Sequence, residues 1–470
     1  MYYSLVFATE EKILLNKKIA ILGAGPSGLA QLRAFEAARL AGNKNLPEIV
    51  CYEKQSDIGG MWNYTWRTGL DKNGEPVHGS MYRYLWSNGP KECLELADYS
   101  FDEHFGRAIP SYPPRAVLKD YIMGRIDEEA IKKNIRFECP VRWVEYNEET
   151  EKFTVTVMNH KSGEQESDVF DHVIVATGHF STPNMTYFKG IENFPGRVLH
   201  AHDFRDALEF ENKDVLMIGS SYSAEDIASQ CYKYGAKSIT ISYRSQPIGY
   251  EWPENMEERP LVTHFEGSIA HFSDGSSKSY DAIVMCTGYL FHFPFLPDNL
   301  RLDTHNCMYP DNLYKGIFFQ QNPKLIYLGM QDQYYTFNMF DVQAWYARDV
   351  ILGEKALPDS AVRLADMNIW QERHQALDGS DNQNIDFQAD YILDLLGTID
   401  YPNFPVKQQG ELFKQWLRDK DEDIMGFREK SYASTITNTM ATELPAPWLE
   451  IKDDSLESFM SLDFVEATVD

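Results

Sequence analysis

The sequence predicts an α/β fold made of two parallel-sheet units, the second inserted into the first. Three observations predict it. KKIAILGAGPSGLAQLRAF followed by EIVCYEK (residues 17–54) reads as strand, glycine turn, helix and strand. KDVLMIGSSYSAEDIASQCYKYGAKSITISYR (213–244) repeats that order. DHVIVATG (171–178) and DAIVMCTG (281–288) are like strand ends 110 residues apart, as expected of entry to and exit from an insertion.

The elements follow in order. MYYSLVFATEEK has no basic n-region and no clear cleavage site, so residues 1–16 are expected to be an extension and not a signal peptide. The first unit spans 17–178. Its βαβ opening is followed by an irregular, aromatic-rich stretch from Gly59 to Pro114, longer than an idle loop tends to be. Strand patterns resume at IRFECPVRWVEYN and KFTVTVMNH. The inserted unit occupies 179–287, and 288–470 completes the first unit. LIYLGMQDQYYTFNMFDVQAWYARDVI (325–351) reads as strand, polar turn and helix. From about 355 the chain is acidic and partly helical (YILDLLGTI, ELFKQWLR), and its expected duty is packing or subunit contact, which leaves a homodimer open.

At 470 residues and 43% hydrophobic, the chain exceeds one ordinary domain. Its net charge of −27 repels nucleic acid and anionic lipid and favours the approach of small cations. The six cysteines are scattered with no C-x-x-C pair, which excludes a disulfide reductase or zinc ribbon and suits a reducing cytoplasm. No run approaches eighteen apolar residues, so no spanning helix is expected.

The first turn is G-x-G-x-x-G: Gly23 for the tight turn, Gly25 for close approach of a pyrophosphate, Gly28 for helix–strand packing. Ser27 opens the helix, whose N-terminus faces the phosphates. Glu53 ends the second strand 25 residues after Gly28, where a carboxylate can take ribose hydroxyls. Together these read as a Rossmann-type dinucleotide site. The second turn, Gly219-Ser220-Ser221-Tyr222-Ser223-Ala224, is a degenerate copy. Its following strand ends in Arg244-Ser245 and not in an acid, which favours NADPH over NADH because a guanidinium pairs with a 2′-phosphate.

Gly59-Gly60-Met61-Trp62 taken alone reads equally as a turn with a buried Trp. The run from Phe194 to Phe204, however, fits F-x-G-x-x-x-H-x-x-x-F. This spelling, with GAGPSGLAQ, G-G-x-W, LWSNGPKE (85–92), HAHDFRDALEF and SSYSAED, resembles the flavin-containing monooxygenases, and is most similar to bacterial members that act on trimethylamine. The resemblance runs from about Lys17 to the end. It implies an FAD domain holding an inserted NADPH domain, with Gly60 and Trp62 among the cofactor contacts. It further implies one oxygen atom passing from O2 through a C4a-hydroperoxyflavin to trimethylamine or a small sulfide. Phe204 stands where Baeyer-Villiger relatives usually carry Trp, which tilts the choice toward heteroatom oxygenation.

Such chemistry needs no protein nucleophile, and none stands out. Asn88, by bare sequence a turn residue, becomes by resemblance the amide donor at the reacting oxygen, and Tyr222 a neighbour of nicotinamide and substrate. In related flavoproteins the strand end near 331 reaches the flavin ring. Gln331 is therefore expected at the cofactor, Asp332 and Tyr334 at the substrate, and Phe337, Phe340 and Trp345 in an apolar pocket. The pair His200 and His202, at i, i+2 without further ligands, is not a metal site, and no metal is expected.

Overall fold

The computed structural model describes residues 17–126 and 128–467; the expected extension, 1–16, lies outside the described residues. The chain opens with β1 (Lys18–Leu22), α1 (Pro26–Leu40) and β2 (Glu48–Tyr52). It continues through β3 (Ile135–Arg136), an antiparallel meander of β4 (Val141–Asn147), β5 (Lys152–Asn159) and β6 (Glu164–Phe170), and β7 (His172–Val175). Then come β8 (Thr182–Pro183), β9 (Arg197–His200), β10 (Asp214–Ile218), α2 (Tyr222–Lys233), β11 (Ser238–Ser242) and β12 (Met256–Arg259). A second meander, β13 (Val262–Glu266), β14 (Ile269–Phe272) and β15 (Ser277–Ser279), precedes β16 (Ala282–Met285) and β17 (Tyr289–Leu290). The chain closes with β18 (Leu313–Tyr314), β19 (Phe318–Phe319), β20 (Leu325–Tyr327), α3 (Thr336–Leu352), α4 (Ser360–Gln375), α5 (Asp381–Leu396) and α6 (Val406–Glu422).

Two central sheets result. One has the order β18-β19-β20-β7-β1-β2-β3, the other β12-β11-β10-β16-β9, with every pair in the second parallel. The like strand ends noted in the sequence are β7 and β16. Each lies beside the strand that enters a glycine turn, β1 in one sheet and β10 in the other. The echo thus marks equivalent places in two sheets. The segments that leave β7 and β16 meet again as the antiparallel pair β8–β17.

The strands form because their residues are β-branched or otherwise apolar and covered on both faces: Ile19, Ala20 and Ile21 are fully buried, as are Val215, Leu216 and Met217. Helix α1 starts with Pro at its first position, where no intrahelical N–H is needed, and packs along the nearly wholly buried α3. The stretch from Gly59 to Pro114 carries only short helical turns, and Trp86, Phe101 and Tyr112 anchor it in the larger core. No described helix is long and apolar enough to cross a membrane.

Candidate functional site

The first glycine turn lies at the carboxyl ends of β1, β2 and β7. Gly23 has φ +103°, and its amide donates to Tyr52 O (2.8 Å). A Cβ there would stand 2.7 Å from Ala176 O, and one on Gly28 would stand 1.9 Å from Gly23 O, so neither position admits a side chain. Gly25 has a different neighbour from the one expected. Its Cβ direction meets Gly60 Cα at 3.4 Å, and a Cβ on Gly60 (φ +58°) would stand 2.8 Å from Gly25 Cα. The Gly59-Gly60 turn therefore packs onto the glycine turn because both backbones are bare. Trp62 follows it, half-buried against Phe337.

Ser27 lies in the first turn of α1, which holds no acidic residue, and its hydroxyl faces Gly329. Glu53 is buried, with one oxygen accepting from Ala24 N (2.7 Å) and the other from Gln55 N (2.7 Å). Burial lifts its pKa above the ordinary glutamate value, and the two amides partly offset this. Each carboxylate oxygen retains a lone pair for a second donor.

The second turn repeats the first bond for bond. Gly219 has φ +124°, and its amide donates to Ser242 O (2.9 Å). A Cβ would stand 2.2 Å from Cys286 O, as Gly23 stands to Ala176. Ser221 caps α2 without a side-chain bond, Ser223 is half-buried in its first turn, and Arg244 and Ser245 are exposed just beyond β11.

Asn88 and Tyr222, far apart in sequence, line one cleft together with Glu225, Asp226, Lys420 and Arg428. Tyr222 stacks on Trp416, with ring centroids 6.4 Å apart. Its side chain is partly exposed, and its hydroxyl lies beside Asp381, Glu225 and Asp332 and bonds to Tyr334. Burial first, and then those carboxylates, hold its proton far above the ordinary tyrosine range. Tyr334 in turn donates to Asp381 Oδ1 (2.6 Å). The loop that carries Asn88 is pinned from the C-terminal region. Buried Arg428 donates through Nε to Ser87 O (3.1 Å) and through Nη2 to Asp226 of α2. Lys420 Nζ pairs with Glu225 at 2.8 Å. The cleft therefore offers a neutral amide, a phenol that keeps its proton, an aromatic wall and several carboxylates, with no paired nucleophile and base.

A model of the flavin-binding monooxygenase-like family matches residues 16–248 and 254–419. The chain belongs to this family. It is 61% identical over 444 residues to a trimethylamine monooxygenase of Methylocella silvestris, covering 94% of this chain and 98% of that one. It is 58% identical over 447 residues to a trimethylamine monooxygenase of Roseovarius nubinhibens, covering 95% and 100%. The crystal structure of Tmm from a Pelagibacter species superposes with a TM-score of 0.92 at 50% identity, covering 94% of this chain and all of that one.

The two turns of this flavin-binding monooxygenase fit dinucleotides on their own geometry: each backbone is too close to a neighbouring strand for any Cβ, at the open N-terminus of a helix. One expected contact is corrected. The Gln331 side chain is fully buried and faces the interior, where Oε1 accepts from Gln343 Nε2 (2.9 Å) and Nε2 lies near Gly316. It is not open to a cofactor. Asp332 and Tyr334 lie near the Tyr222 hydroxyl. Phe337 and Phe340 line a cavity with Leu29, Ile122 and Asp341, whereas Trp345 is core, set edge-on against Tyr401. His200 Nδ1 accepts from His202 N (3.0 Å), a local bond at the end of β9. Trp416, Lys420 and Arg428 were not foreseen. The only signal for the first two was the amphipathic pattern of α6, which is common to most surface helices.

Proposed function

We propose that this flavin monooxygenase uses FAD, NADPH and O2 to convert trimethylamine to its N-oxide. One observation carries the reading: identity of 61% and 58% over almost the whole chain to enzymes named for that substrate. The chemistry a bound FAD supplies is acceptance of hydride from NADPH and activation of O2, one oxygen atom going to the amine and the other to water.

The residues have these proposed roles. The turn at Gly23, Gly25, Ser27 and Gly28, closed by Gly60 and Trp62, holds FAD, with Glu53 on its ribose. The turn at Gly219, Ser221 and Ser223 holds NADPH, with Arg244 and Ser245 on the 2′-phosphate. The seven-stranded unit, 17–178 and 288–470, is thus the FAD domain, and 179–287 the NADPH domain. Asn88 directs its amide N–H at the reacting oxygen, and Tyr222 keeps its proton while covering the cleft. Asp332 and Tyr334 border the substrate, which the acidic surroundings draw in as a cation.

The test is trimethylamine-stimulated NADPH oxidation with the product identified. One N-oxide per NADPH is expected. Efficient conversion of ketones to esters with trimethylamine untouched would replace this reading by a Baeyer-Villiger one.

A further inference from the structure

The second meander carries side chains that neither glycine turn nor the cleft uses. His264 on β13 and His271 on β14 face each other directly across the antiparallel pair, beside a bulge between Val262 and His264. Their rings stack with centroids 4.3 Å apart and planes at 4°. Glu266, two residues on from His264, reaches both: one carboxylate oxygen is 4.0 Å from His264 Nε2 and the other 3.6 Å from His271 Nε2. One ligand atom from each of the three residues lies within 4.8 Å of the other two.

The hydrogen bonding decides which nitrogen is free. Thr263 Oγ1 donates its hydrogen to His271 O (3.0 Å), so toward His264 Nδ1, 3.0 Å away, it can only accept. The proton of His264 therefore sits on Nδ1, and Nε2 presents a lone pair to the cluster. An orienting acceptor on the far nitrogen is what a metal-binding imidazole needs. His271 Nε2 is buried and, among the described residues, has no hydrogen-bond partner.

From this geometry we propose a binding site for one divalent transition-metal ion, Zn2+ by preference, with His264 Nε2, His271 Nε2 and a Glu266 oxygen as ligands and water completing the tetrahedron. Two imidazoles and one carboxylate select this class over Mg2+ or Ca2+, which take oxygen ligands. Bonds of about 2.0–2.1 Å place tetrahedral donors about 3.4 Å apart. A metal lies in the plane of each imidazole it binds, and the two stacked rings occupy separate parallel planes, so His271, partly exposed, turns out of the stack about its ring torsion while exposed Glu266 closes on the ion. The ion clips β13 to β14. Val262 N donates to Ser242 Oγ (3.2 Å), so the clipped hairpin abuts the end of β11 that precedes Arg244.

The experiment titrates Zn2+ into the metal-stripped, flavin-loaded protein by calorimetry. Wild type is expected to bind one ion tightly, His264→Ala and His271→Ala to lose that event, and Glu266→Gln to weaken it. Thr263→Val keeps all three ligands but frees the tautomer, and is expected to weaken binding about 10-fold or more. Unchanged flavin content and circular dichroism show that each variant is folded, and Glu266→Gln, at an exposed position, serves where a His variant is not. Absence of a one-ion event in wild type overturns the proposal. So does equal binding by wild type and the two His variants, which would assign the ion to other histidines.

Discussion

Arg428→Met tests whether the C-terminal region holds the Asn88 loop in place. Arg428 is 2% exposed in its side chain, and its guanidinium is shared between Asp226 on α2 and the Ser87 carbonyl. Removing one member of a buried pair leaves the other charge uncompensated, a loss of about 3–5 kcal/mol. Removing both members can be nearly neutral. Arg428→Met and Asp226→Asn are therefore each expected to be strongly destabilised in urea unfolding, which Trp448, 4.4 Å from the guanidinium, can report by fluorescence. The double variant should lose no more than either single variant, a coupling of at least about 3 kcal/mol in the cycle. N-oxide formed per NADPH should fall wherever Arg428 is missing, even in the stable double variant, because Ser87 O has lost its donor. Additive losses, or full coupling of product to NADPH in the double variant, would refute the pinning.

Four further outcomes are expected. Gly25→Val directs its methyl groups at Gly60 and should cost the protein its flavin, read as the ratio of flavin to protein absorbance. Arg244→Ala should weaken NADPH by about 10- to 100-fold, the equivalent of about 1.5–3 kcal/mol, while sparing NADH; equal losses for both would remove Arg244 from the phosphate. Asn88→Leu should divert NADPH consumption from N-oxide to H2O2 with flavin still bound, and unchanged coupling would take Asn88 out of the active site. Burial lowers the Lys233 pKa to about 6, so above that pH the folded state lacks a proton that the unfolded chain keeps up to about 10. Wild-type stability should thus rise with pH between about 6 and 10, by up to about 1.4 kcal/mol per unit from this group, and Lys233→Met should flatten that rise in unfolding measured across the window.

The glycine turns were legible because their geometry leaves a sequence no choice. Gly23 and Gly219 combine left-handed φ with a strand carbonyl where a Cβ would go, so the same residue recurs even where the rest of the second motif has drifted. The partnership of Gly25 with Gly60 was not legible, since two glycines 35 residues apart carry no sign that they touch. Position was easier to read than direction. The strand end near Gln331 was located, but the neighbours that turn its side chain inward, Gly316 and Gln343, come from separate elements. The cleft shows the same limit. Lys420 meets Glu225 across 195 residues and Arg428 meets Ser87 across 341, and no local pattern distinguishes these cations from those on any surface helix.

The proposed reaction sets two demands that pull apart, and a lysine of the chain shows how a protein meets the second. Carboxylates such as Glu225, Asp332 and Asp381 favour arrival of the amine as a cation, yet oxygen transfer needs the lone pair that only the neutral amine has. Lys420 keeps a carboxylate partner, Glu225, while its Nζ lies 4.7 Å over Tyr222 and 5.4 Å over Trp416. Lys233 has its Nζ 4.2 Å from the centroid of Trp448 and 5.5 Å from that of Trp86, with no hydrogen-bond partner for Nζ among the described residues, and burial drives its pKa down to about 6. Burial with the like charges of Lys452 and Arg428 nearby is what lowers Lys233, and an amine that moves from a carboxylate into an apolar pocket meets the same cost of burying its charge. A tertiary methylamine, small enough to make that move, satisfies both demands in turn. A quaternary ammonium can satisfy only the first, so tetramethylammonium is expected to bind without giving an oxygenated product, and any oxygenated product from it would refute the need for a neutral amine.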